Sequence, residues 1–399
     1  MKKTIYTILL FVLILFTAVK SQTIEQLGYY NINGLDALTS KSNLLVLGSG
    51  DIVNISNPSR PELIGSLSLN GFSTSVLVSE DYAYFGTGML VRLIIADISN
   101  PTFPLQISSI NFPETGGGVF GIAKSDDILY LAMSSAGVYS VDISDVSTPK
   151  VLDTLVIEYG QARDIVTKGN YAYVAHGDGL KVLDISNPLN MQIITSIGSG
   201  YNSIDINDSL LFLGKGSGGI DVFKISDPLT PAFSIVNSGG AWDVKYQKNH
   251  VYLATNSSGL FIYKIEGNTG IEMANFPNTG NGQSFGVSLQ DSLILLIGLV
   301  NGVAILQYDS TGTSSINTLS LENKIRIFPN PVIDHIIIDQ SNISINKIEI
   351  IDMEGKLIKQ ENYNSSTKFI DISDLPIGQY IIKIIANESI ITEKFIKIE

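Results

Sequence analysis

Few residues in this chain have the type and spacing that catalysis or metal binding demands. There is no cysteine among 399 residues, which removes disulfides, thiolate zinc sites and thiol nucleophiles. The three histidines, His176, His250 and His335, fall in separate segments, so a histidine-rich metal centre is not expected and no cofactor is implied. His176-Gly177-Asp178-Gly179 has the look of a metal-loop fragment, but it occupies a glycine-rich turn between two strand-like runs. Gly214, Gly216 and Gly219 precede a strand-like run and not a helix, so a phosphate-cradling reading fails on context. No HExxH occurs. The formal charge of −13 becomes −16 once Lys2, Lys3 and Lys20 are removed with an N-terminal leader. Most of that charge lies ahead of residue 324, and so acidic a surface repels a phosphate backbone: nucleic acid is not an expected partner.

The chemistry must therefore come from side chains brought together by the fold, and the fold announces itself as a repeat. DISNP or a relative recurs, and its second position falls at residues 55, 98, 143, 185, 225, 265 and 308. Steps of 40 to 45 residues with about four short apolar runs each are the size of one propeller blade, a unit too small to bury its own faces. Residues 200–238 give the pattern: strands over 203–206, 210–214, 220–225 and 232–236, joined by glycine and Ser-Asp-Pro turns. Asp97, Asp142 and Asp184 recur at the head of the phrase, so turn hydrogen bonding and not catalysis is expected of them. The last unit lacks a fourth strand, and Ile24 to Tyr30 at the N-terminus supplies one. Pairing the two would close the ring and remove its open edges. The fold class is thus all-β: a seven-bladed β-propeller followed by a small Ig-like β-sandwich.

In this frame, the position two before the buried aliphatic of each first strand sits near the channel mouth. Blade by blade it is Asp36, Thr74, Phe120, Arg163, Asn202, Trp242 and Phe285, with Phe72 and Tyr201 in the entering loops. Aromatics with a few convergent polar groups suit a glycan, peptide or protein ligand. The alternative is that these side chains fill the space between blades. An enzymatic reading, a hydrolase or lyase acting on polysaccharide at the channel mouth, would use Asp36, Arg163 and Asp243.

Blades such as VSEDYAYFGTG…IIADISNP and YAYVAHGDGLKVLDISNP resemble LVIVD-repeat proteins, which are bacterial surface or secreted propellers. The resemblance spans roughly residues 24–309 and implies a fold more than an activity. Beyond a Thr-, Ser- and Asn-rich linker over 311–323, residues 324–399 resemble the type A sorting domain of the type IX secretion system. The matching residues are Pro329, Asn330, Pro331, Asp352, Gly355, Lys356, Leu375, Gly378, Tyr380 and Lys394. What that resemblance implies is passage across the outer membrane of a Bacteroidetes-type bacterium, usually with removal of the domain and frequent transfer of the cargo to a surface glycolipid. The partner it implies is the secretion machinery itself. At the other end, Lys2 and Lys3, an apolar run from Ile5 to Val19 and a small residue at Ser21 read as a signal peptide over 1–21, too short to span a bilayer. The expected mature chain, with the repeat domain over 22–310, has no transmembrane segment and is secreted or held at the outer surface.

Overall fold

The computed structural model describes residues 23–398 apart from 33–36, 70, 89–91, 113–116, 217, 278–283, 299–301, 310–324, 329–331, 341–345, 353–355, 363–368 and 387–388. The leader over 1–21, the linker over 311–323, and Asp36, Pro329, Asn330, Pro331 and Gly355 lie outside the described residues. The chain divides into two compact units, residues 1–312 and 313–399.

The first unit consists of seven four-stranded antiparallel sheets among the described residues. In the first, Leu38–Lys41, Leu44–Leu47, Asp51–Asn54 and Glu62–Ser66 pair in chain order, and five more sheets repeat that plan. The seventh departs from it: Ser284–Gln290, Leu293–Gly298 and Gly302–Tyr308 are completed by Ile24–Asn31 from the other end of the unit. The register runs from Ile24 opposite Tyr308 to Asn31 opposite Gly302, with a shift between Gln26 and Gly28.

Seven apolar clusters fill seven seams. Side chains alternate across a strand, so Leu45 and Leu47 enter the cluster shared with Leu295, Ile297, Val303 and Ile305 of the seventh sheet. Val46 enters the one shared with Ala83, Phe85 and Ile94 of the second. Each sheet thus buries both faces, one against each neighbour, and the innermost strands touch in a closed cycle, the seventh meeting the first. The first unit is a β-propeller, as its repeat implied.

The recurring turn secures this arrangement in two ways. Asn54, Asp97, Asp142 and Asp184 each accept through Oδ1 from the amide of the serine two residues on, at 2.8–2.9 Å, the Asx-turn geometry these residue types favour. The turn then docks on the outer strand of the preceding sheet. The Ser108 hydroxyl donates to the Val146 carbonyl at 2.6 Å. At Gly65 and Gly28 the approach is closer still. A Cβ at Gly65 would stand 2.0 Å from the Pro101 carbonyl oxygen, and one at Gly28 would stand 1.8 Å from that of Pro58.

The second unit has two sheets. Ile325–Phe328, His335–Gln340 and Phe369–Asp371 form one, and Leu357–Asn362, Lys347–Asp352, Gly378–Ala386 and Ser389–Lys397, in that spatial order, form the other. Val332, Ile336, Ile348, Ile350, Ile382, Ile384 and Phe395 pack in a single core. Leu357–Asn362 is a strand that the sequence pattern did not single out, because it is a polar edge strand. Several sorting-motif residues build turns and core here. Asp352 accepts from the Lys356 amide at 2.9 Å, and the Tyr380 hydroxyl donates to the Pro376 carbonyl at 2.9 Å. Leu375 is buried, Gly378 opens the long third strand and Lys394 sits exposed on the last.

Gly65→Ala and Gly28→Ala should each lower the unfolding midpoint, since overpacking against backbone costs about 1–3 kcal/mol. Deleting residues 24–31 should cost more, because the burial shared with the seventh sheet is lost at ~25 cal/mol per Å². Thermal unfolding of the three variants checks both, and a wild-type midpoint for the deletion in a soluble monomer would contradict the closure.

Candidate binding surface at the ring mouth

Four of the seven mouth positions coincide with an irregularity in pairing. In the second, fourth, sixth and seventh sheets the ladder between the two innermost strands skips one residue. The residues skipped are Thr74, Arg163, Trp242 and Phe285. A bulge frees its extra residue from the ladder and re-aims its side chain, so at the entrance of the channel these groups leave the sheet plane. Phe120 and Asn202 occupy the same place without a bulge, each immediately ahead of an innermost strand, Gly121–Ser125 and Ser203–Ile206.

The side chains are linked around the rim. Arg163 Nη1 donates to Asn202 Oδ1, and Asn202 Nδ2 donates to the Ala241 carbonyl at 3.0 Å. The next residue, Trp242, meets Phe285 edge to face, with centroids 5.2 Å apart and planes at 84°. One continuous arc therefore crosses the fourth to seventh sheets. Trp242 and Phe120 each retain 42% exposure, which is not the environment of filler between sheets. Thr74 turns instead to the Val119 carbonyl at 2.7 Å.

Tyr201 does not belong to the rim. It is 2% exposed, packs in the seam between the fourth and fifth sheets, and its hydroxyl donates to Asp221 at 2.9 Å. Phe72 is exposed in its loop, as are Tyr159 and Val236, which the sequence reading did not select. Tyr159 stands in the left-handed backbone region at φ 56°, and the Gly160 that follows packs on the His176 ring. Its place in a loop entering an innermost strand was the signal that could have found it.

Below the rim the channel carries a charge cluster that the sequence reading reached only through Asp243. Asp164 accepts from the Ile204 amide at 3.0 Å, Asp205 from the Tyr246 amide at 2.6 Å and Asp243 from the Val287 amide at 2.9 Å. Each bond crosses from one sheet to the next. The ammonium of Lys245 lies 3.0 Å from Asp243. Burial opposes its charge, but Asp243, Asp164 and Asp205 outweigh that and hold it above the ordinary lysine range. Burial pushes Asp164 up to about 6; Lys245 pulls it back, Asp243 adds to the rise, and the amides of Ile204 and Ile165 offset it in part. Asp205 is raised by burial as well.

His176 and Asp178 pair through Nδ1, with Lys181 2.8 Å from the same carboxylate. Both groups are thereby engaged within their own strand-to-strand turn. No group of three or more metal-ligating side chains assembles among the described residues.

Comparison with known proteins assigns both units. Residues 49–68, 70–111 and 159–197 match the LVIVD repeat, and residues 326–399 match the secretion system C-terminal sorting domain. The first unit is therefore a propeller carrying LVIVD repeats. Its C-terminal neighbour marks the chain as cargo of the type IX secretion system, exported to the cell surface or secreted.

Among solved structures, a chain of the mitotic checkpoint complex superposes with a TM-score of 0.57 at 10% identity, over 72% of this chain and 92% of that one. The Pan2 WD40 domain of Neurospora crassa gives 0.55 at 13% identity, over 72% and 96%. At such identities the likeness is one of fold alone. A 77-residue stretch is 34% identical to an ulvan lyase of Nonlabens ulvanivorans, covering 18% of this chain and 14% of that protein. The chain thus spans about a seventh of the length of the curated relative it matches.

The raised Asp164 gives a pH signature. Its folded value lies above the unfolded one, so its contribution to stability is complete below about pH 4 and is lost as pH rises through about 6. The stability difference between the wild type and Asp164→Asn should therefore favour the wild type more in acid than at neutrality. Unfolding midpoints of both proteins across that window check the sign, and a pH-independent difference would contradict it.

Proposed function

We propose that this protein is an exported, non-catalytic binding protein, and that its propeller holds a glycan, peptide or protein partner at the mouth through Trp242, Phe285, Phe120, Arg163 and Asn202. The observation that carries the reading is the set of bulges turning side chains out of the ladder at one end of the channel. A scaffold that needed those positions for packing would bury them, but two large aromatics stay 42% exposed there. Exposed rings supply a broad apolar contact area, and a guanidinium and an amide beside them supply direction.

An enzymatic reading draws on two observations: a channel carboxyl titrating near 6 and the short stretch shared with a polysaccharide lyase. Both weigh less than they first suggest. Asp164 is engaged through both oxygens, by the amides of Ile165 and Ile204, and Asp243 by Lys245 and the Val287 amide, so both carboxylates already serve as structural acceptors within the ring. A 77-residue likeness is also too short to carry a site assembled across a ring. Mature protein incubated with ulvan should release no unsaturated uronate products, and release lost on Asp243→Asn would establish the enzymatic reading instead.

We further propose that residues 22–310 are the functional cargo, that 311–323 is a linker and that 324–399 is removed on export. Intact-mass measurement on surface-exposed protein should find chains ending between about 310 and 325, and retention of Glu399 on most molecules would contradict it.

Trp242→Ala and Arg163→Ala should each weaken ligand retention by about 2 kcal/mol or more, as central anchors do, with little change in unfolding midpoint. If Trp242→Ala instead cost the about 3–5 kcal/mol of a truncated core tryptophan, the side chain would be packing and not binding.

A further inference from the structure

At the end of the ring opposite the mouth, the seam between the sixth and seventh sheets is open. Gln247, Lys248, His250 and Tyr252 line one wall of a depression, and Asp291 and Tyr308 belong to the other. The space it encloses is about 190 Å³, less than a drug-sized ligand site offers.

Both walls of this seam differ from counterparts elsewhere in the ring. At two other seams the last residue of the innermost strand is a lysine that leans across: Lys41 donates to the Glu80 carbonyl, and Lys168 donates to the Asn207 carbonyl at 2.9 Å. The equivalent residue in the sixth sheet is Gln247, which pairs with His250 as Lys41 pairs with Leu44 and Lys168 with Tyr171. Its shorter amide makes no such bridge. The other wall differs too. The buried isoleucine that follows the third strand elsewhere, as at Ile98 and Ile185, is replaced by a part-exposed Tyr308. The seventh sheet is also the one whose outer strand comes from the N-terminus, so no turn runs on from its third strand to that strand.

The chemistry of the lining is specific. The His250 ring lies 5.6 Å from that of Tyr308 at 68° and 6.5 Å from that of Tyr252 at 51°, forming an aromatic wall. His250 Nδ1 donates to the Lys248 carbonyl at 2.9 Å, which fixes the ring. Burial, then Tyr252 and Asp309, push the Tyr308 hydroxyl up to about 12, so it stays a neutral donor. Around the rim stand an amide, a carboxylate and an ammonium. One cation faces one anion, so the lining is near balance on an otherwise acidic unit and selects no strongly charged ligand.

We propose that this seam is a second binding site and that it takes a neutral saccharide. The C–H face of a pyranose would lie against the rings of His250 and Tyr308, and its hydroxyls would be read by the Gln247 amide and the Asp291 carboxylate, which can both accept and, for the amide, donate. This site is independent of the mouth.

The test is saturation-transfer NMR on the folded chain with a panel of neutral disaccharides, cellobiose and lactose among them, followed by titration. The single tryptophan of the chain, Trp242, lies at the mouth and reports on that end alone. A disaccharide should bind without changing tryptophan fluorescence, weaken at least tenfold in Asp291→Ala and in Gln247→Ala, and bind unchanged to Trp242→Ala. Both rim substitutions are of surface side chains, and unfolding midpoints confirm that the ring is intact. Absence of saturation transfer across the panel, binding that survives both rim substitutions, binding lost in Trp242→Ala, or stronger capture of the blocked tetrapeptide Ile-Ser-Asn-Pro would each overturn the proposal. Binding lost in Trp242→Ala would move the saccharide to the mouth; the other results leave the mouth to its own variants.

Discussion

A propeller sheet of four short strands has two apolar faces and no way to bury either by itself, so each sheet of the first unit depends on having a neighbour on both sides. That requirement is met only by closure. The pairing of Ile24–Asn31 with Gly302–Tyr308 completes the seventh sheet, and the cluster of Leu45, Leu47, Val53 and Ile55 with Leu295, Ile297, Val303 and Ile305 fills the last seam. Without it, two sheets would present apolar faces and unpaired edges to water.

Closure also explains why charge is tolerated in the middle of the ring. Carboxylates on the innermost strands are expensive to bury, yet Asp164, Asp205 and Asp243 each take a backbone amide of the next sheet, and Lys245 sits among them. The groups work as staples between neighbours whose geometry the outer turns also fix. The same rigidity holds the rim: a bulge can point Trp242 or Arg163 out of the ladder because the sheet on either side keeps the strand in place.

The repeat made the fold legible. Seven echoes of one phrase, a missing fourth strand in the last unit and a spare strand at the N-terminus lead to a closed ring from sequence alone, and the repeat frame also located Arg163, Asn202, Trp242 and Phe285 at one level of the channel. What it could not deliver was pairing detail. Whether a residue is skipped in the ladder depends on its partner strand, so the bulges at Thr74, Arg163, Trp242 and Phe285 left no trace in composition. The fifth sheet has no skip between its first two strands, and Tyr201, read as part of an entering loop beside the mouth, turns into the seam. Asp164, Asp205 and Asp243 escaped notice as a group because they come from three repeats and meet only in space. The open seam beside Tyr308 was hidden for a related reason: its walls, Gln247 to Tyr252 and Asp291 to Tyr308, come from two repeats and meet only in space.

The strand that seals the ring is synthesised before every other strand of the unit, and its partner is the last, with roughly 280 residues between them to be brought together at a cost that grows only with the logarithm of the loop. Sheets one to six can form in order as the chain emerges, each from contiguous sequence. The seventh cannot exist until residue 308 has appeared. Until then the first and sixth sheets each keep one apolar face without its neighbour, so sealing is the last step in assembling the ring.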